Sequence, residues 1–245
     1  MFRTILHVGE GSVATERIVR RHLSFKSVKT AIRRHFEPRS KLPYNHVCQV
    51  GDPVMRTPAL PVEPEMIAAP EFKRLIKHMK DVMRKHHAMG LSANQIGLSY
   101  QIFLMEVTKE HLGKFDDAYR KSRQMELVPL QVFVNPTMKV IDYATVKHTE
   151  ECLSILGYSA VVPRAKTIRI DALDIFGKPF VWDADGWAAR VAQHEMDHLQ
   201  GKMFVDRMDP RTFACTFWST VNMRGGNVGL KYYPQSWLRR VLLYR

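Results

Sequence analysis

From Glu71 to about Ala88 apolar residues recur every three to four positions, with Phe72, Leu75, Ile76, Met79, Val82 and Met83 separated by Lys and Arg. That period predicts an amphipathic helix whose charges form a solvated face, with Pro70 at its start. Upstream, the stretch from Val47 to Pro70 has no clear period, and Pro61, Pro64 and Pro70 exclude a regular helix there. Tyr100 to Met105 then reads as a strand. Val132 to Pro136 and Met138 to Ile141 read as two short strands around a turn, after an exposed, highly charged helical or loop insertion over 107–127. Val161 to Pro163, the alternating Thr167 to Asp171, and Phe180 to Trp182 after a turn at Phe176 to Pro179 complete the strands. A second helix runs from about Gly186 through His198 and ends by Gly201, with Asp183 or Asp185 as its cap. Thr212 to about Met223 can continue as a helix before Gly225-Gly226 breaks it. The pattern predicts an α+β fold, with short, mostly antiparallel strands packed around one central helix.

Charge changes the picture only at the ends. The 245-residue chain carries a formal net charge of +13, which invites a nucleic-acid reading. Residues 1–46 hold ten Lys/Arg against three Asp/Glu and residues 206–245 hold seven against two, whereas 47–205 hold twenty against nineteen. The body is thus near neutral, and DNA binding by the whole protein is excluded as a working class. Residues 1–45 are rich in Arg, Ser and His and poor in acids, the composition of a mitochondrial transit peptide; a disordered basic arm is the alternative. Met1 to Val8 is too short for the apolar core of a secretory signal. No apolar run approaches the roughly 18–20 residues of a transmembrane helix. Cys48, Cys152 and Cys215 are too widely spaced for a disulfide framework and favour a reducing compartment. The chain divides into 1–45, a catalytic body over 46–210, and an extension over 211–245. Within that extension Lys231, Arg239, Arg240 and Arg245 alternate with Tyr232, Tyr233, Trp237 and Tyr244. This end suits an RNA or ribosomal surface, or else an extension packed on the body with its charges in water.

The candidate chemistry lies on the second helix. Gln193-His194-Glu195-Met196-Asp197-His198 contains His-Glu-x-x-His, which places His194 and His198 one turn apart on one helix face. Two such imidazoles can bind one divalent cation, with Glu195 facing the metal's water or the substrate. The bland alternative is a helix that happens to carry two histidines. A third ligand is still required. Cys152, after two carboxylates in a short segment between strands, would complete a Cys-His-His site with a position left for water. A lone cysteine can equally be a small buried hydrophobe. Farther upstream, Gly90 lets backbone approach a ligand closely, and Gln95 offers a donor and acceptor that do not titrate; a plain glycine turn is the alternative.

Three segments, Gly90-Leu91-Ser92-Ala93-Asn94-Gln95, Glu150-Glu151-Cys152-Leu153-Ser154 and Gln193 to Leu199, resemble in order and spacing the three signature motifs of peptide deformylases. The likeness covers roughly residues 45–210, and the run Gly186-Trp187-Ala188-Ala189-Arg190 is similar to the animal mitochondrial branch. The resemblance implies that Cys152, His194 and His198 hold one divalent ion, Fe(II) in the cell, with zinc, nickel or cobalt able to replace it. It implies a water acidified by that ion, attack on the formyl carbon of N-formylmethionyl nascent chains, and release of formate. Glu195 would move the proton. The Gln95 side chain and the Leu153 backbone N–H would stabilise the oxyanion. Met89 and Gly90 would pair with the extended substrate, and Trp187, Arg190 and Val191 would border the methionine pocket. Asp197 would serve structure. The mitochondrial matrix is the implied location, and the mitochondrial ribosome an implied partner.

The chain departs from the family pattern at Glu151, where glycine is usual, and at Ala88, where glycine is common. If position 151 needs a positive φ, a non-glycine residue there costs about 1 kcal/mol or more and alters turnover while leaving metal binding intact. Two rival readings remain. A zinc metallopeptidase would need a downstream His or Glu ligand, and the chain has neither after His198. A deformylase-like binding protein would keep the metal and lack turnover.

Overall fold

The computed structural model describes residues 41–230 and 232. The leader expected over 1–45 therefore falls outside the described residues up to position 40, as does most of the basic, aromatic end. The periodic helix forms as α2 (Pro70–Lys85), burying Phe72, Ile76, Met79, Val82 and Met83. Pro70 sits in its first turn, where a missing N–H leaves no helix bond unmade. The same chemistry corrects the expectation for the segment before it. Pro64 opens a five-residue helix, α1 (Pro64–Ala68), because a proline forbids helix behind it, not ahead of it.

Strands β1 (Gly90–Ser92), β2 (Ile102–Val107), β3 (Val128–Glu151), β4 (Tyr158–Leu173) and β5 (Pro179–Asp185) pair in that order, each antiparallel to the next. Between β2 and β3 the charged insertion folds as two short helices, α3 (Lys109–Leu112) and α4 (Asp117–Ser122). The strands are longer than expected. Val132 to Pro136 and Met138 to Ile141 belong to one 24-residue strand, not two around a turn. Asn135-Pro136 marks a bulge there: the register with β4 shifts between Val134 and Thr137, and Asn135 has φ 50°. The Asn135 side chain donates to Val62 O at 2.9 Å and accepts from Val62 N–H at 2.8 Å, so the distortion is tied down. Pro163 likewise interrupts no strand; it lies inside β4 opposite Lys147.

β2 is buried on both faces, since successive side chains alternate sides. Ile102 and Leu104 pack with Phe72, Met79 and Met83 of α2. Phe103 and Met105 pack with Phe133, Ile168 and Ile170 against Ala189, Ala192, Met196 and Leu199 of α5 (Gly186–Leu199). The helix carrying the histidines is therefore seated on the sheet through small residues that allow close approach. Asp185 takes its N-cap position, but its carboxylate accepts from Thr167 Oγ1 instead of a helix N–H, and Asp183 forks onto Arg169 at 2.7 Å. Among the described residues no helix is long and apolar enough to cross a membrane.

The helix expected over 212–223 is replaced by a strand, β6 (Ala214–Cys215), and a short helix, α6 (Trp218–Met223). Cys215 pairs with Tyr158 of β4, and Thr216 N–H donates to Gly157 O. Gly157 (φ +88°) sits so close to the Phe217 ring that an added Cβ would fall 2.1 Å from it. Tertiary pairing thus overrides the local helical pattern.

Phe133 is fully buried and stacks on Phe103 with ring centroids 4.4 Å apart. Phe133→Ala should lower unfolding stability by about 3–5 kcal/mol in urea titrations. Tyr143→Ala, at a side chain 80% exposed, should change it by no more than about 0.5 kcal/mol.

Candidate metal centre

Two periodicities meet at the site. On α5, Arg190, His194 and His198 follow one another at four-residue intervals and share a face. At the end of β3, Glu150 and Cys152 are two residues apart and both are buried, while Glu151 between them is exposed. Cys152 Sγ lies 3.3 Å from His198 Nε2, and ligand atoms of Cys152, His194 and His198 all fall within 4.8 Å of one another. Three ligands each about 2.0–2.3 Å from one ion need a cluster of this size. His194 Nδ1 is 2.9 Å from Glu150 Oε2, which leaves Nε2 of that ring for an ion.

Around this cluster, Ser154 N–H donates to Cys152 Sγ at 3.4 Å. Gln95 lies on the 3-10 turn Ala93–Ile96 that follows β1. Its Oε1 accepts from Ser92 N–H at 3.0 Å, which points its amide nitrogen at Ser154 Oγ (3.1 Å) and toward Cys152 Sγ (3.8 Å). Asn94 Nδ2 donates to His198 O at 2.6 Å and so binds that turn to α5. Glu195 is buried, and its Oε2 has no hydrogen-bond partner. Burial pushes its carboxyl up to about 7, against the opposing charges of His194 and Arg164. A dication beside it would pull that value back down. Burial and then the His194 charge hold His198 well below the usual imidazole range, so its ring presents a lone pair. For His194, burial is outweighed by Cys152 and Glu150, which raise its proton affinity well above the usual value. An orphaned carboxylate oxygen beside a thiol and two imidazoles fits a metal ion, and the soft donor set suits a transition metal.

The cluster opens on a cavity of about 410 Å³ whose lining includes Met89, Gly90, Gln95, Leu153, Trp187 and Val191. Trp187 Nε1–H points at Met89 Sδ, 3.1 Å away. Leu153 O accepts from Gln49 Nε2 at 2.8 Å, which fixes the backbone of the turn after Cys152. Arg190 also touches the cavity, yet its guanidinium is spent elsewhere: on Glu150 Oε1 (2.6 Å), Val162 O (2.9 Å) and Val146 O (2.6 Å). Gly90 has a use that its sequence context did not suggest. A Cβ there would lie 2.4 Å from Glu195 Oε1, so the close neighbour is the protein's own carboxylate.

A polypeptide deformylase family model matches residues 44–214. The chain belongs to the polypeptide deformylase family. It is 47% identical over 180 residues to the mitochondrial peptide deformylase of Homo sapiens, covering 74% of each chain. It is 34% identical over 205 residues to chloroplastic peptide deformylase 1A of Solanum lycopersicum, covering 84% of this chain and 74% of that one. The fold matches the peptide deformylase of Thermotoga maritima with a TM-score of 0.57 at 29% identity, over 68% of this chain and 99% of that one.

Two features of this deformylase differ from expectation. Glu151 lies within β3 opposite Ser159, and among the described residues the non-glycine positions with positive φ are His87, Gln124 and Asn135. The strain argument against Glu151 therefore fails. The second feature is a residue that sequence reasoning passed over. Glu150 is buried and accepts from Arg164 Nε (2.9 Å), Arg164 Nη2 (2.8 Å), Arg190 and His194. Burial pushes its carboxyl up, but the bonds from Arg164 and His194 outweigh that and hold it well below the carboxylate range. Its spacing of two from Cys152 on a strand was the available signal. Arg164 gave none, because it joins the site only through the pairing of Val146 with Arg164. Asp197 accepts from Arg164 and Arg207.

Gly90→Ala should displace the Glu195 carboxylate. Formate release should fall by about 10²-fold while bound metal, measured by atomic emission, stays at the wild-type level.

Proposed function

We propose that this chain removes the N-formyl group from the formylmethionine of newly made polypeptides in the mitochondrial matrix, with Fe(II) held by Cys152, His194 and His198. The observation that carries this reading is the meeting, in one cavity, of a Cys-His-His donor set with a buried carboxyl that has an unused oxygen. Zinc, nickel and cobalt suit the same donors. The ion supplies Lewis acidity, making a water nucleophilic near neutral pH.

The protein's own groups do the rest. Glu195 takes the proton of the attacking water at its carboxylate and gives it to the departing amine; burial, which raises its proton affinity, suits that double duty. The Gln95 amide N–H, aimed by the bond between its Oε1 and Ser92, and the Leu153 backbone N–H stabilise the negative charge growing on the formyl oxygen. β1 is an edge strand, so backbone at Met89 and Gly90 pairs with an extended substrate as one more strand. Met89, Trp187 and Val191 form apolar wall for the methionine side chain.

The acid-poor composition of residues 1–45 and the likeness to a relative named as mitochondrial support the location. The basic, aromatic end supports contact with the mitochondrial ribosome. Deleting 226–245 should then reduce cosedimentation with ribosomes, and cosedimentation unaffected by the deletion would refute that contact.

Formate release from formyl-methionyl peptides, assayed anaerobically with Fe(II), tests the reaction itself. Glu195→Gln should lower turnover by about 10²–10⁴-fold with metal content retained. Cys152→Ser and chelation should each remove both metal and activity. Cleavage of internal peptide bonds would favour the metallopeptidase reading instead, and metal binding without formate release would favour a binding protein.

A further inference from the structure

We infer that Arg190 is a positioning residue of the metal centre: it fixes the carboxylate of Glu150, which in turn holds the ring of His194. The inference rests on the metal-centre reading above and reassigns a residue that the motif likeness had placed in the methionine pocket.

Glu150 presents two oxygens, each able to accept two hydrogen bonds. All four places are filled. Oε1 takes Arg164 Nε at 2.9 Å and Arg190 Nη1 at 2.6 Å, while Oε2 takes Arg164 Nη2 at 2.8 Å and His194 Nδ1 at 2.9 Å. Arg164 reaches the carboxylate from β4. Arg190 and His194 reach it from α5, one helical turn apart, and grip opposite oxygens. The plane of the carboxylate is thereby set by the helix that carries the ligands. Without Arg190, Oε1 keeps only one donor and the carboxylate can twist about the Arg164 fork. That twist carries Oε2, and with it the acceptor that orients His194.

The rest of the Arg190 side chain argues the same way. Two further donors go to Val162 O and Val146 O, so the guanidinium ties α5 to both β3 and β4 within a few residues of Glu150. The residue is 3% exposed, and both Nη1 donors and one Nη2 donor are already given to protein acceptors. Arg190 borders the cavity, while its guanidinium bonds to Glu150 and to carbonyls of β3 and β4. Arg190, His194 and His198 thus form one functional row at four-residue intervals: a clamp followed by two ligands.

The test uses the full chain loaded with Co(II), whose visible spectrum reports ligand geometry, in the forms Arg190→Met and Arg190→Lys. Arg190→Met keeps the stem and removes every donor. It should weaken Co(II) affinity, measured by competition with a chelator, about tenfold or more and shift the visible bands. The KM for a formyl-methionyl tripeptide should stay at the wild-type value, and Arg190→Lys, which restores one cationic donor, should recover part of the affinity. Unchanged affinity and spectrum in Arg190→Met would overturn the inference. So would a raised KM with unchanged affinity, the result expected of a pocket residue. Should Arg190→Met lose its circular-dichroism signature, Arg190→Gln is read by the same criteria. A wild-type chain that bound no Co(II) would sink the metal-centre reading itself, which separates the two failures.

Discussion

The carboxylate of Glu150 is the constraint on which the site depends. It is buried among two arginines and a histidine, and burying charges this way costs several kcal/mol per ion unless geometry restores it. Here the geometry does. Four donors fill four acceptor positions, and Arg164 passes its other end to Asp197, which accepts again from Arg207. The chain of alternating charges runs from His194 to the half-exposed Arg207. Removing one member would leave a charge buried without its partner, so the network specifies a single arrangement of α5 against β3 and β4.

That arrangement converts two local periodicities into one site. The helix repeat sets Arg190, His194 and His198 in a row, and the strand repeat puts Glu150 and Cys152 on the same side. Neither periodicity alone brings the Cys-His-His donor set together. The close seating of α5 does, through Ala189 and Ala192 on the sheet and the bond from Asn94 to the carbonyl of His198. Gly90 completes it by leaving room for Glu195 beside the edge strand. An edge strand, the buried Glu195 carboxyl and the Cys-His-His cluster thus share one cavity, as the proposed hydrolysis at the end of an extended chain would require.

Much of this was legible in the chain itself. The pentad on its helix, the cysteine between strands and the glutamine after Gly90 are spaced in ways that only a few chemistries use, and the structure brings them together. What stayed hidden depends on long-range pairing. Arg164 enters the site because β4 lies opposite β3 in a particular register, and no local pattern around residue 164 encodes that register. Arg190 was legible as a cavity neighbour but not as a partner of Glu150, since its acceptors are 28 to 44 residues away. The bulge at Asn135-Pro136 was misread as a turn because proline signals both, and only the bonds from Asn135 to Val62 decide between them. Glu151 drew attention for the opposite reason: an unusual residue type in a motif suggested strain that the backbone at that position does not bear.

The most direct test is the metal affinity of Glu150→Gln. The substitution keeps the size of the side chain and replaces one acceptor oxygen with a donor, which must face an arginine or His194. The account predicts a folded protein by circular dichroism whose affinity for Co(II) or Fe(II) falls about 10–100-fold. A folded Glu150→Gln protein that bound the ion as tightly as the wild type would contradict it.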